Sequence, residues 1–286
     1  MPGMYSGWAI KRKEQDGGRN TFCPGRSNGR NRTEAVSTLP GAKNERNKME
    51  IKLTGTGAIW SRYQSASALI NGNIMIDMPN GIFKSLMTED NSRDKIDHVI
   101  LTHMHGDHIL DLPVWALSKV KFKLPVVKPA IYTHADNVEW LKYLMTGCFN
   151  ESLRESVIEE YFRFETAEEF FIGDLEVRRI PVSHGHMQAF GYMIREGDKV
   201  VSISGDTGMC EALEMMAASS DVLICDACRI ETNGKHTGVD EVCSLAARYP
   251  DCRIITTHMG DDAREEYKRR EGGNLITGYD GMICFI

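Results

Sequence analysis

No uninterrupted apolar stretch in the 286 residues approaches membrane-spanning length, so no segment is expected to cross a bilayer. A secretory hydrophobic segment is missing too, since Tyr5-Ser6-Gly7-Trp8-Ala9-Ile10 is too short and runs into Lys11-Arg12-Lys13. The eight cysteines (Cys23, Cys148, Cys210, Cys225, Cys228, Cys243, Cys252 and Cys284) are therefore expected to be free thiols of a cytoplasmic protein. There is no second Cys-x-x-Cys to join Cys225-Asp226-Ala227-Cys228 in a four-cysteine zinc site, which leaves buried strand-end thiols as the expectation there. Basic surplus is confined to one end. Residues 1–48 hold ten Lys/Arg against four Asp/Glu, while the remainder holds 24 against 36. An acidic body argues against a nucleic-acid groove across its surface.

Residues 1–48 are rich in Gly, Asn, Arg and Ser and show no apolar periodicity, a composition that cannot offset its ordering entropy. They read either as a disordered basic tail or as a stretch preceding a natural start at Met49, which leads directly into a strand; the second is favoured. Residues 49–286 then form one α/β domain. Strands are expected at 51–54, 67–70 and 74–77, the last two joined by Asn71-Gly72-Asn73 as a hairpin. Further strands are expected at 96–101, 126–133, 175–180, 189–194, 199–203, 222–225 and 253–257. Helices are expected at 79–87, 135–145, 151–161, 210–217 and 239–248, with another starting after the histidine-rich turn near Pro113. Strand-rich stretches followed by helices, twice over, point to two sheets packed face to face with helices outside.

Histidine is scarce, nine in all, yet three fall within six residues in Thr102-His103-Met104-His105-Gly106-Asp107-His108. The cluster sits where a strand gives way to a helix. Extended spacing puts His103 and His105 on one face, able to converge on one ion, while Asp107 and His108, beyond Gly106, can face a second. Imidazole with carboxylate suits zinc, with manganese or iron as alternatives. His184, Asp206 and His258 recur at later strand ends, where a rigid scaffold can aim ligands at a common point.

His-x-His-x-Asp-His followed by His184, Asp206 and His258 in that order resembles the metallo-β-lactamase superfamily, from about Glu50 to Ile286. The resemblance implies an αββα sandwich of two mixed sheets with a dinuclear metal site at the sheet edges. Carried over, His103, His105 and His184 resemble the ligands of one ion, Asp107, His108 and His258 those of the other, and Asp206 the bridging carboxylate. Leu53-Thr54-Gly55-Thr56-Gly57, Val182-Ser183-His184, Phe190-Gly191-Tyr192 and Ile203-Ser204-Gly205-Asp206-Thr207 are similar to ribonuclease Z. In that branch Asp226 stands where a Glu is found, and His236-Thr237 stands just before a helix, as the catalytic histidine does. Asp226 beside a neutral His236 would hold its tautomer and make it a general acid.

One departure separates the chain from long ribonuclease Z forms. Their tRNA-clamping arm lies between the residues matching His184 and Asp206, where only a tight hairpin fits here. Phosphoribosyl cyclic phosphodiesterases and cyclic-nucleotide phosphodiesterases of the superfamily also lack the arm. The expected activity is a dinuclear-metal phosphodiesterase acting on a small nucleotide-like diester or an RNA 3′ end, with no membrane partner and with a homodimer allowed. Asp107, Asp226 and His236 are the expected catalytic residues. The rivals are a carboxylic ester, thioester or lactone hydrolase and a non-catalytic metal sensor. A redox role of the flavodiiron kind needs a fused flavin domain, which the sequence is not expected to carry.

Overall fold

The computed structural model describes residues 48–88, 92–122 and 128–286, and Lys48–Ile286 forms one compact unit. Apart from Lys48, the tail expected over 1–48 lies outside the described residues. The first half contributes β1 (Glu50–Gly55), β2 (Ser67–Ile70), β3 (Ile74–Ile76), β4 (His98–Ile100), β5 (Ala130–Tyr132) and β6 (Arg163–Glu165). Its helices are α1 (Ile82–Met87), the single turns α2 (Ser92–Lys95) and α3 (Gly106–Ile109), α4 (Leu112–Lys121), α5 (Val138–Cys148) and α6 (Glu155–Tyr161). The second half contributes β7 (Glu169–Ile172), β8 (Leu175–His184), β9 (Met187–Glu196), β10 (Lys199–Ile203), β11 (Val222–Asp226), β12 (Arg253–Thr257), β13 (Leu275–Thr277) and β14 (Ile283–Phe285). Its helices are α7 (Glu211–Ser219), α8 (Val239–Arg248) and α9 (Asp261–Arg270).

The strands make two seven-stranded sheets, β14-β1-β2-β3-β4-β5-β6 and β13-β12-β11-β10-β9-β8-β7. Period-two alternation sorts the side chains between layers. Ile74, Ile76 and Ile100 face the second sheet and pack with Val177, Tyr192, Ile203, Ile224 and Ile255 in a core between the sheets. Their neighbours Met75, Val99 and Ile131, aligned across β3, β4 and β5, face outward under Leu112, Trp115, Leu141 and Ile158 of the helices. The expected αββα sandwich is therefore the fold. β11 is buried at all five positions, as a parallel strand covered on both faces must be.

The Asn71-Gly72 hairpin forms as expected, with φ of 49° and 73° at its two turn residues. Other boundaries differ. The helix expected at 135–145 is a 3₁₀ turn, Ala135–Asn137, followed by α5. The helix expected at 151–161 starts only at Glu155, because residues 149–153 form a turn in which the Leu153 N–H donates to Phe149 O. The strand expected at 126–133 is reduced to β5, with 126 and 127 outside the described residues. β6, β7, β13 and β14 were not anticipated; each is four residues or fewer, too short to display a period.

Candidate metal centre

Each residue singled out for metal chemistry follows the C-terminal end of a strand, and these ends share one rim of the sandwich. His184 is the last residue of β8, Asp206 lies three residues beyond β10 and His258 directly follows β12. The chain leaves β4 at Ile100, one residue earlier than expected, so His103 and His105 converge from a loop rather than from strand register. His105 stays extended (φ −68°, ψ 149°) and leads into α3, whose turn carries Asp107 and His108, with the His108 ring 4.1 Å from that of His103. The loop is anchored to the second sheet: the Tyr192 hydroxyl donates to Leu101 O and the Phe190 N–H to Thr102 O. Asp206 reaches the centre through Gly205, whose φ of 60° and closeness to Phe190 O leave no room for a Cβ.

The donor atoms fall into two sets. His103 Nε2 lies 2.9 Å from His105 Nδ1, which lies 3.2 Å from His184 Nε2, and Asp206 Oδ2 is 3.6 Å from the first and 3.9 Å from the last. In the second set Asp107 Oδ2 is 3.4 Å from His258 Nε2 and 3.7 Å from His108 Nε2. Asp206 belongs to both, with Oδ1 3.4 Å from His108 Nε2 and Oδ2 3.3 Å from His258 Nε2. Ligands bound at ~2.0–2.1 Å around a tetrahedral ion stand ~3.3 Å apart. The separations bracket that value in the first set and run from it up to 3.7 Å in the second. The His108 Nε2 atom is buried with no hydrogen-bond partner, a state that polar atoms avoid unless something else binds them. The donor sets thus fit metal ions, as the superfamily resemblance implies.

The two sets differ in proton load. Burial, reinforced by the neighbouring imidazoles, holds His103 well below the ordinary histidine range, and His105 is lowered by burial and His184. Burial would depress His108 as well, but Asp206 and Asp77 overcome it and lift the imidazole to about 10. His258 is raised against its burial by Asp206 and by a hydrogen bond to Asp107. Burial opposes ionisation of Asp206 and Asp107, yet the surrounding histidines hold both below the usual carboxylate range.

Asp226 and His236 also come together. Asp226 ends β11, fully buried, and its Oδ2 accepts from the Thr207 N–H at 2.9 Å while lying 2.8 Å from His236 Nδ1. The His236 ring stacks on His258 with centroids 5.2 Å apart. With Nδ1 engaged, Nε2 is the nitrogen left to face the open cleft of about 1100 Å³ that His236 lines with His105, Asp107, Asp206 and His258.

Two neighbours of the centre were not anticipated. Asp77, immediately after β3, takes a left-handed backbone (φ 59°) and accepts hydrogen bonds from the Thr102 N–H and hydroxyl at 2.8 and 2.7 Å. Its Oδ2 lies 2.7 Å from His108 Nδ1, fixing that ring. A buried aspartate closing an apolar strand was the available signal. Cys228, expected as a buried strand-end thiol, instead borders the cleft half-buried, its Sγ within 4.8 Å of donor nitrogens of His236 and His258; Cys225 is buried as expected. All seven cysteines of the described residues are free thiols. No helix among the described residues is long and apolar enough to cross a membrane.

Residues 49–278 match the family model described as Anti-Pycsar protein Apyc1. The chain belongs to this family. It is 28% identical over 243 residues to the Anti-Pycsar protein Apyc1 of Bacillus phage 010DV004, spanning 78% of this chain and 94% of that relative. It is 26% identical over 261 residues to the ribonuclease Z of Thermococcus sibiricus, spanning 70% of this chain and 82% of the relative. Among solved structures, the metallo-β-lactamase fold protein YhfI from Bacillus subtilis has a TM-score of 0.68 at 16% identity, covering 84% of this chain and 100% of its own, a likeness of fold. As a member of the Apyc1 family with this fold, the protein is a metal-dependent hydrolase of the phosphodiesterase type.

Proposed function

We propose that the protein hydrolyses a small cyclic nucleotide at a two-metal centre, zinc being the first choice of ion and manganese or iron the alternatives. The observation that carries this reading is the Asp226–His236 pair, 2.8 Å apart, opening into the same cleft as the paired His/Asp sets. His103, His105 and His184 would hold one ion, Asp107, His108 and His258 the other, and Asp206 both. Metal ions bound there supply Lewis-acid charge on the phosphoryl oxygens and a water acidic enough to yield hydroxide near neutral pH.

The chain's own residues do the rest. Asp226 holds the His236 Nδ1–H, so a protonated ring presents Nε2–H to the leaving alkoxide and gives up that proton as the P–O bond breaks. Asp107, at the cleft floor, orients the attacking water and accepts from it. The size and charge of the cleft favour a small substrate over RNA. Between His184 and Asp206 the chain makes only the tight β8-β9-β10 meander, and among the described residues the cleft is lined by Asp107, Asp206, Glu231, Asp261 and Asp262 with Arg229 as the one Lys or Arg. A polyanion would be repelled there.

Protein purified without chelator tests the reading. Elemental analysis should find two equivalents of transition metal per chain, and cyclic mononucleotides should be hydrolysed while lactone and thioester panels are not. Chelation should remove the activity and added zinc or manganese restore it. Turnover of lactones without turnover of any diester would overturn the proposal.

A further inference from the structure

Trp60 is 90% exposed, the most exposed large apolar side chain among the described residues. It lies on the 56–66 loop and lines the same cleft as His236, Asp206 and His258, with Ile59 and Ile230 as its apolar companions. Exposure on a loose loop would mean little, but this loop is fastened at several points. The Ser61 N–H donates to Ala58 O at 2.9 Å, closing a turn with Ile59 and Trp60 at its tip. The Ala58 N–H donates to the carbonyl of Met259, the residue after His258. Ser61 Oγ and Arg62 Nε bind the Asp261 carboxylate at 3.0 and 2.8 Å, and the Tyr63 ring lies 3.8 Å from the guanidinium of Arg264, itself buried and bound to Thr56. The indole is held out over the cleft by a loop bolted to the strand end that carries His258, with little ordering entropy left to lose on binding.

The chemistry of the remaining wall narrows what such an indole would meet. Asp107 and Asp206 belong to the metal sets and Asp261 is held by Arg62, which leaves Glu231 and Asp262 beside Arg229 on the wall; that gives no cationic track for further phosphates, while the single phosphodiester has the metal sets to neutralise it. The other part of a nucleotide is a flat, uncharged base, which an acidic rim does not repel. An exposed tryptophan offers it a π-face and a large apolar area. We infer that Trp60 is the base-stacking residue of the site, the side chain through which the nucleotide of the proposed reaction is held by its base. This rests on the phosphodiesterase reading above.

The test compares Trp60→Ala, Trp60→Phe and wild type, all metal-loaded, on a cyclic mononucleotide and on the cyclic phosphate of 1-deoxyribose, which keeps the diester and lacks the base. The readout is the ratio of kcat/KM for the nucleotide to that for the base-less diester. Stacking is worth a factor of ~5 to ~150 per base, so Trp60→Ala should lower the ratio by that order, through KM, and Trp60→Phe should restore most of it. The melting temperature should match wild type in both variants, since the side chain is 90% exposed. A ratio unmoved in Trp60→Ala, or a wild-type ratio near one, overturns base stacking and leaves the phosphodiesterase reading intact. Wild type inactive on both diesters overturns that reading, and this inference with it.

Discussion

The two halves of the centre are built from the same side chains to opposite electrostatic effect. His103, His105 and His184 meet nitrogen to nitrogen at 2.9 and 3.2 Å, and burial and mutual repulsion push His103 and His105 toward the neutral form that binds a metal. His108 and His258 face Asp206, Asp107 and Asp77, and in the metal-free protein they take up protons that balance those carboxylates. One half is ready to accept an ion, whereas the other must exchange protons for it. The difference between them is the placement of carboxylates, and among the described residues Asp206 alone has oxygens that reach both sets.

Asp206 is therefore where the comparison breaks most completely. Asp206→Ala should abolish turnover and weaken metal retention in both halves, while His103→Ala should empty chiefly one, as elemental analysis of dialysed protein would report. Equal and mild metal loss in the two variants would argue against a shared carboxylate. His236→Ala comes next in size. General acid catalysis is worth roughly 10² to 10⁴ in rate, and that loss should appear with a diester whose leaving group is an alkoxide but be far smaller with a p-nitrophenyl diester, which departs without a proton. Metal content should stay at the wild-type level. Equal slowing of both substrates would make His236 a binding residue.

Asp77 sharpens the comparison because it touches a donor of the proton-loaded half directly, at His108 Nδ1, and reaches the other half through Thr102, whose hydroxyl lies 3.0 Å from His103 Nδ1. Asp77→Asn keeps the size of the side chain but weakens its hold on His108 Nδ1, and partners of this kind are worth ~10–100-fold in metal affinity or activity. Competition with a chromophoric chelator should show one equivalent released that much more easily and the other held as in wild type. Loss of both equivalents together would place Asp77 in the architecture of the whole rim.

The rim was legible in the sequence because histidine is rare and the spacing is short: the seven donor residues gather at or beyond strand ends, although His103 and His105 come from a loop, and Asp226 at the end of β11 meets His236 from the loop before α8. Two of the buried strands were legible too, since β11 opens on the apolar run Val222-Leu223-Ile224-Cys225 and β12 carries Ile254-Ile255. What escaped depends on contacts rather than on period. β6 and β14 take their strand form from the neighbours they pair with, and three residues cannot announce an edge. In the sequence Asp77 reads as the end of a strand, because its role arises from a left-handed turn that brings it to Thr102 and His108, more than twenty residues away. Cys228 read as a buried thiol for a similar reason, since what places it by His236 and His258 is the loop it begins.

The smallest expected effect is also the most direct comparison of the halves: the pH dependence of the chelated protein's stability. Burial opposes the His108 charge, but Asp206 and Asp77 prevail, so the folded pKa of about 10 stands above the ordinary value of 6.5. The folded state thus holds this proton more tightly than the unfolded chain does, and the stability it contributes is full below ~6.5 and lost as pH rises toward ~10. His258 is raised in the same direction. His103 behaves oppositely: burial lowers its pKa, so its contribution is full above ~6.5 and lost as pH falls, with the lowered Asp206 and Asp107 adding to the acid limb. Metal-free protein should therefore be most stable near pH 6–7. Between pH 7 and 9 its melting temperature should fall by a few degrees, each kcal/mol being worth ~2–4 °C at this size. His108→Gln removes the titrating group, so its alkaline limb should flatten while its acid limb persists. Metal-loaded wild type should lack the alkaline limb as well, because ions rather than protons then balance the carboxylates. A melting temperature that stays level or rises from pH 7 to 9 in the chelated protein would mean that the second half carries no such protons, and the contrast between the halves would be lost.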